Sequence, residues 1–302
     1  MWRPFYSPLL SCMLMDHDDV VVKSNALVEA AYSLTVAETK LVLAAIAQVR
    51  RDEPITDEIR YTVTANALAD MGGFAANHEH RALKQAADRL LGRLISIIEK
   101  PNGSGRRPRV LRTHWVQSVV YRDDEGAVDL RFAKDVIPYL NQLTAEFSQY
   151  KLTNVAGMTS SYGVRLYELL IQWRSKGERE VEVAWLRRVF QIEGKYKSIR
   201  DMKRWVIEPA VRDVNEHSDL QVKWGQRKLG RSVAFIQFKF APKQSGKLLT
   251  TPLAQKPQKQ DKGELIAGIP RHVIEQHARP GESYSMAAQR LHKMKREGAF
   301  SW

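Results

Sequence analysis

Two stretches of this 302-residue sequence carry the same succession of helix and strand signals, and that repetition limits the available folds more than any other feature. In the first stretch Thr35 can cap a helix, and Glu38 three residues on completes a capping box. Leu41, Val42, Ala45, Ile46 and Val49 then recur at helical spacing until Arg51-Asp52-Glu53-Pro54 ends the pattern. Residues 60–64 alternate as a strand does. Residues 66–71 read as a short helix stopped by Gly72-Gly73. Residues 80–94 read as a longer one, with Leu83, Ala87, Leu90, Leu91 and Leu94 on one face. Two β-rich runs, 94–99 and 110–121, flank a turn-rich basic loop that contains Arg106, Arg107 and Arg109.

The second stretch repeats this order. Residues 160–173 form a helix pattern through Val164, Leu166, Tyr167, Leu170 and Ile171. A short strand is expected at 180–183 and a short helix at 184–190, carrying Leu186, Val189 and Phe190. A turn with Gly194 follows at 191–196, then a long helix at 198–215. Residues 220–224 and 232–240 form a hairpin around 225–231, and Val233, Phe235, Gln237, Phe238 and Phe240 suit a half-buried strand. Helix, strand, short helix, long helix, hairpin is the order of a winged-helix module. The sequence thus predicts an α+β fold of two winged-helix domains related by pseudo-symmetry, with a mobile C-terminal tail. The expected boundaries are an N-terminal extension at 1–19, a first domain at 20–150, a second at 151–242, and a linker and tail at 243–302. The tail's opening is rich in Pro, Lys and Gln, and a helix is expected at 285–297.

Length and an apolar fraction of 44% suit two domains with their own cores. No apolar run approaches the roughly 20 residues that span a bilayer. The opening residues carry Pro4 and Pro8 and lack a charged start with a small-residue cleavage site, so no signal peptide is expected. The single cysteine, Cys12, permits no intrachain disulfide and no cysteine-based zinc site, and a reducing cytoplasm fits it. The net charge of +13 is unevenly spread: residues 16–150 are net −2, residues 151–245 are net +9, and residues 246–302 are net +5. An excess confined to the second half points to a polyanion, nucleic acid ahead of membrane.

The chemistry concentrates at residues 195–206. Ser198 can cap the helix. Ile199, Met202, Trp205, Val206 and Pro209 fall on one side and are expected to face the core. Lys197, Arg200, Asp201 and Arg204 fall on the other, with Lys203 at its edge. A helix fits the major groove of B-DNA, where arginine can make a bidentate contact to guanine. Lys197 and Ser198 at the helix start suit phosphates. Arg187, Arg188 and Lys195 lie just before this helix and are candidates for backbone contacts. Lys223, Arg227, Lys228 and Arg231 are candidates for a phosphate-binding wing, as Arg106, Arg107, Arg109 and Arg112 are in the first module.

Several blocks also resemble a known family. They are Val22-Lys23-Ser24-Asn25-Ala26-Leu27-Val28, Ser33-Leu34-Thr35 with Glu38-Thr39-Lys40-Leu41, Phe147–Leu152, Ser160–Leu170, and Trp205–Glu216. Together they resemble the iteron-binding plasmid replication initiators of the RepA/RepE type over residues 20–242. The resemblance implies tandem winged-helix domains. It also implies monomers that bind directly repeated origin sequences, or iterons, and dimers that repress their own promoter at an inverted repeat. Host DnaA and a DnaB-type helicase are implied partners. The second domain is implied to make the main groove contacts, through Lys197, Arg200, Lys203 and Arg204. The first domain, net acidic apart from its loop, is expected to hold the dimer contacts and to add auxiliary DNA contacts. Neither cofactor nor metal is implied.

Two other functions compete with this reading. A rolling-circle nuclease needs two metal-binding histidines around one apolar residue, whereas His78-Glu79-His80 has glutamate in the centre. No Gly-rich loop ending in Gly-Lys-Ser/Thr is present for ATP, and His272 and His277 are five apart, off one helical face. A two-module transcription repressor without a replication role would look physically the same.

Overall fold

The computed structural model describes residues 19–50, 54–72, 79–99, 109–141, 146–243, 265–267, 269–270 and 284–296. The chain divides into two units, residues 1–248 and 249–302, and both expected modules lie in the first. Strand β1 (Val20–Ser24) and a short helix α1 (Asn25–Val28) lead into helix α2 (Val36–Ala47). The capping box forms as expected: Thr35 Oγ1 accepts the Glu38 N–H, and Glu38 Oε2 accepts the Thr35 N–H at 2.9 Å. Strand β2 (Tyr61–Thr64), helix α3 (Ala65–Asp70) and helix α4 (Glu79–Leu91) complete a helix-turn-helix. Leu68, Leu83, Ala87 and Leu90 are buried in the same core as Leu41, Val42, Ala45 and Ile46. Lys40, itself buried, donates to the carbonyls of Met71 and Gly72 and so closes the C-terminus of α3.

The wing of this module is not the expected hairpin. The run at 110–121 breaks at the fully buried Trp115 into β4 (Arg109–His114) and β5 (Val116–Arg122). The Trp115 N–H bonds the Arg93 carbonyl, and its own carbonyl accepts the Ala133 N–H, so the two halves go to different sheets. Strand β4 pairs only with β3 (Leu94–Glu99), as a separate hairpin. Strand β5 instead pairs with β6 (Ala127–Phe132) in a three-stranded sheet ordered β2-β6-β5. The wing turn is therefore Asp123-Asp124-Glu125, closed by the left-handed Gly126 at φ 59°.

Strand β7 (Phe147–Lys151) returns antiparallel to β1 and leads through α5 (Thr153–Ala156) to α6 (Ser161–Ile171), capped by Ser160. Strand β8 (Glu178–Glu182), α7 (Val183–Val189), α8 (Ile199–Met202), a π turn (Lys203–Ile207) and α9 (Glu208–His217) follow. Strands β9 (Leu220–Leu229) and β10 (Ser232–Pro242) end the module. Their sheet order, β8-β10-β9, repeats β2-β6-β5 element for element. The expected loop at 225–231 is mostly strand: β9 runs on to Leu229, and only Gly230, at φ 61°, and Arg231 make the turn.

A buried polar cluster joins the modules. Glu168 of α6 accepts from the Lys23 ammonium at 2.5 Å and the Tyr150 hydroxyl at 2.6 Å. Arg165 donates to the carbonyls of Val28 and Ala30 and to the Tyr32 hydroxyl. Burial opposes ionisation of Glu168, but Lys23 and Arg165 hold its carboxyl below the usual range.

In the second unit, Leu265–Ile266 pairs with Ile269–Pro270, and the expected helix spans Tyr284–Arg296 with Ala287, Ala288 and Leu291 buried. The rest of the tail, including His272 and His277, lies outside the described residues, as do residues 1–18 with Cys12.

Candidate nucleic-acid interface

Helices α8 and α9 with the π turn between them form one continuous helical segment in the position of a recognition helix. Ser198 starts it: its Oγ accepts the Asp201 N–H at 3.0 Å and its hydroxyl donates to the Asp201 carboxylate at 2.7 Å. Asp201 is thereby turned back onto the cap. The turn before the helix is held by Arg187, which donates to the carbonyls of Lys195, Tyr196 and Lys197 at 3.1, 2.8 and 3.4 Å. Tyr196 is held at φ 49°, a left-handed backbone uncommon for a non-glycine residue. Arg187 thus stitches the turn, while Lys195, Lys197 and Arg188 stand exposed around it.

The inner face of the segment carries Met202, Val206, Ile207, Ala210, Val211 and Val214, all buried. The π turn departs from the expected pattern: the Glu208 N–H reaches back five residues to the Lys203 carbonyl. That extra residue advances Val206 and Ile207 together into the core and turns Trp205 out. Trp205, expected inside, is 54% exposed, with the Arg204 guanidinium 4.9 Å from its ring centre. Arg200, Arg204 and Arg212 share the outer face. Below it, Asp213 accepts the N–H groups of Thr159 and Ser160 at the start of α6, and Asn215 clamps both backbone groups of Val222 on β9.

Lys203 donates to Gln226 on β9 at 3.2 Å and ties the helix to the wing. Arg227 is engaged by Glu180 of β8 through two bonds, at 2.9 and 2.5 Å, and lies over the Phe235 ring. Hydrogen bonds from Arg227 hold the Glu180 carboxyl below its usual range. Lys223 is half-buried in the same strand, while Lys228 and Arg231 are exposed at the wing tip beside Leu229, which is 70% exposed.

The first module's cations are differently placed. Glu38, fully buried, takes Arg89 at 2.9 Å and Arg93 at 2.8 Å. Lys84 on α4 pairs with Asp123 of the wing turn at 3.2 Å, and Arg122 with Glu125 at 2.8 Å. By contrast, Arg188, Lys195, Lys197, Arg200, Arg204, Arg212, Lys228 and Arg231 form no ion pair among the described residues. Arg106 and Arg107 lie outside the described residues, and Arg109 opens β4 opposite Glu99. Sequence reasoning missed Trp205, Leu229 and Arg212; Arg212 is legible as an exposed cation two turns beyond Arg204. His78 is outside the described residues, and no group of three His, Cys, Asp or Glu side chains that could hold a metal occurs among the described ones. No helix among them is long and apolar enough to cross a membrane.

A family model described as "Initiator Replication protein, WH1" matches residues 20–171, and one described as "Initiator Rep protein, WH2" matches residues 182–240. A replication initiation protein of Escherichia coli is 26% identical over 211 residues, covering 67% of this chain. The chain spans 64% of that relative's own length. The PI protein of Escherichia coli is 21% identical over 230 residues, 67% of this chain and 75% of that protein. A solved structure of the Pi initiator protein in complex with iteron DNA shares the fold at a TM-score of 0.63 and 19% identity, over 76% of this chain and 99% of that one. The WH1 model covers the first module and runs on through α6, and the WH2 model covers α7 to β10, so this chain belongs to the initiator replication protein family, whose WH1 and WH2 parts it carries in tandem.

Proposed function

We propose that this chain is a plasmid replication initiator that binds double-stranded origin DNA through its second winged-helix module. The observation that carries this reading is the row of cations without ion pairs on the outer face of α8–α9 and at the wing tip, beside a first module in which Lys84, Arg89, Arg93 and Arg122, around its second helix and wing turn, are paired with carboxylates. Lys197, Ser198, Arg200, Lys203 and Arg204 address the major groove and the adjacent phosphates. Arg188, Lys195, Lys223, Lys228 and Arg231 address the backbone, while Arg187 and Arg227 hold the turn and the wing in shape. The first module, 20–150, adds auxiliary contacts from Arg106, Arg107 and Arg109 and carries the dimer contacts; the second spans 151–242. The Pi initiator was solved on iteron DNA; by analogy, the substrate here is a set of direct repeats bound by monomers. A dimer represses the chain's own promoter, DnaA and a DnaB-type helicase are recruited in the cytoplasm, and no strand is cut.

Footprinting on the DNA flanking the chain's own gene tests this. Protection of an array of direct repeats is expected. Protection of a lone palindrome alone would leave a repressor, and no protection at any salt concentration would remove the DNA reading. Supercoiled origin DNA should show no metal-dependent nicking; nicking lost on mutating His78 and His80 would revive the nuclease.

A further inference from the structure

Two large apolar side chains of residues 151–243 are more than a third exposed among the described residues: Trp205 at 54% and Leu229 at 70%. Both sit on the two elements that carry the unpaired cations, one in mid-helix and one at the wing tip. Trp205 is outside because of backbone geometry. In an uninterrupted α-helix, residue 205 would lie three places after the buried Met202 and face inward. The π turn rotates it onto the flank of the face that carries Arg200 and Arg204, and π bulges recur at functional sites. Arg204 lies over the ring, so the indole and a guanidinium are presented together. A half-exposed indole beside Arg204, on the flank of a cationic face, suits a surface that is anionic at its edges and apolar in places. The major groove is such a surface: phosphates line it, and thymine's C5-methyl is its apolar feature.

We infer that Trp205 is a specificity-determining residue that reads a thymine by packing against its methyl group in the major groove. The inference rests on the DNA-binding reading above and adds to it a base and a contact type. It requires at least one thymine within the bases covered by the helix.

The test begins with the full chain and a random-sequence duplex library, from which a bound sequence is selected. Failure to enrich any sequence would count against DNA recognition itself, a different failure from that of Trp205. On the selected duplex, each thymine is replaced in turn by deoxyuridine, which removes only the methyl. One or two replacements should weaken binding by wild-type protein about fourfold, the equivalent of one buried methyl. With Trp205→Ala, the thymine and deoxyuridine duplexes should bind equally, each more weakly than the wild type binds the thymine duplex. Three outcomes would overturn the inference: no thymine-sensitive position in wild type, discrimination that survives in Trp205→Ala, or Trp205→Ala affinity equal to wild type. Should Trp205→Ala fail to fold, Trp205→Gln gives the same comparison at this half-exposed position, and the wild-type scan still overturns the inference if it finds no thymine-sensitive base.

Discussion

Replacing Glu168 with glutamine tests the polar cluster that joins the modules. The carboxylate is 1% exposed, with the Lys23 ammonium at 2.5 Å and the Tyr150 hydroxyl at 2.6 Å. Glutamine keeps the shape and removes the charge, so Lys23, 2% exposed, loses its counter-ion. Burial already pulls the Lys23 pKa down, so the least costly response is loss of its proton. Deprotonating a lysine of ordinary pKa at pH 7 costs about 5 kcal/mol, which caps the part of the penalty due to Lys23; Arg165, 3.5 Å from the carboxylate, keeps its bonds to Val28, Ala30 and Tyr32. Removing one partner of a buried pair costs about 3–5 kcal/mol, so the cap and the usual range agree. The cap falls by about 1.4 kcal/mol per pH unit and leaves about 1 kcal/mol near pH 9.5. Urea unfolding followed by circular dichroism should show a loss of about 3–5 kcal/mol at pH 7 that largely vanishes at the higher pH. The double variant Lys23→Met/Glu168→Gln should regain most of the part due to Lys23, because that charge leaves with its counter-ion, while Arg165 stays. A loss under about 1 kcal/mol at pH 7, or one unchanged at high pH, would refute a desolvated lysine as the cause.

Arg200→Ala should weaken binding to the selected sequence by about 5- to 150-fold, the worth of one bidentate base contact, and hardly change binding to scrambled DNA; equal losses in gel-shift titrations would make Arg200 a phosphate contact. Lys228→Ala should lower the slope of log K against log salt by about one, whereas Arg227→Ala, which removes a cation already paired with Glu180, should lower it less. Burial opposes ionisation of Glu38, yet its bonds from Arg93, Thr35 and Arg89 hold its pKa below the unfolded value. Its contribution is then complete above about pH 4.5 and lost as pH falls, so Glu38→Gln should flatten acid unfolding below about pH 5 while costing stability at pH 7.

What the sequence made legible was mostly local. The Thr35–Glu38 capping box, the two helix-turn-helix patterns and the Ser198 cap depend on neighbours within a turn or two, and all appear. The break at Trp115 was hidden because residues 110–121 alternate without glycine or proline; the break comes from long-range bonds to Arg93 and Ala133. Trp205 was misplaced because a periodic reading assumes an α-helix, and one i→i+5 bond moves every later residue. The blocks that carried the family resemblance have structural duties. Lys23, Glu168, Lys40, Asp213 and Asn215 bond buried partners and set the frame, so they report the fold better than they report the bases read.

The two modules have the same sheet order and both place a helix where a groove could receive it, so topology alone does not say which one binds DNA. The carboxylates favour the second, the module proposed above to bind. A cation gains affinity from a phosphate mainly by releasing the DNA's counter-ions, and that gain is offset when it must first leave a carboxylate of its own protein. On α4, Arg89 leans on Glu38 and Lys84 on Asp123, and the wing turn beside them is acidic and would repel the backbone. On α8–α9, Asp201 is turned back to Ser198, and Arg200 and Arg204 keep their charge for a partner. At the third position after the cap, where α2 carries Glu38, α6 carries Gly163, and Asp213, the buried carboxylate of α9, accepts the N–H groups of Thr159 and Ser160. Glu168, the carboxylate of α6, is engaged by Lys23 at the joint, so α6 offers Arg200 and Arg204 nothing like the pairing that Glu38 gives Arg89 and Arg93.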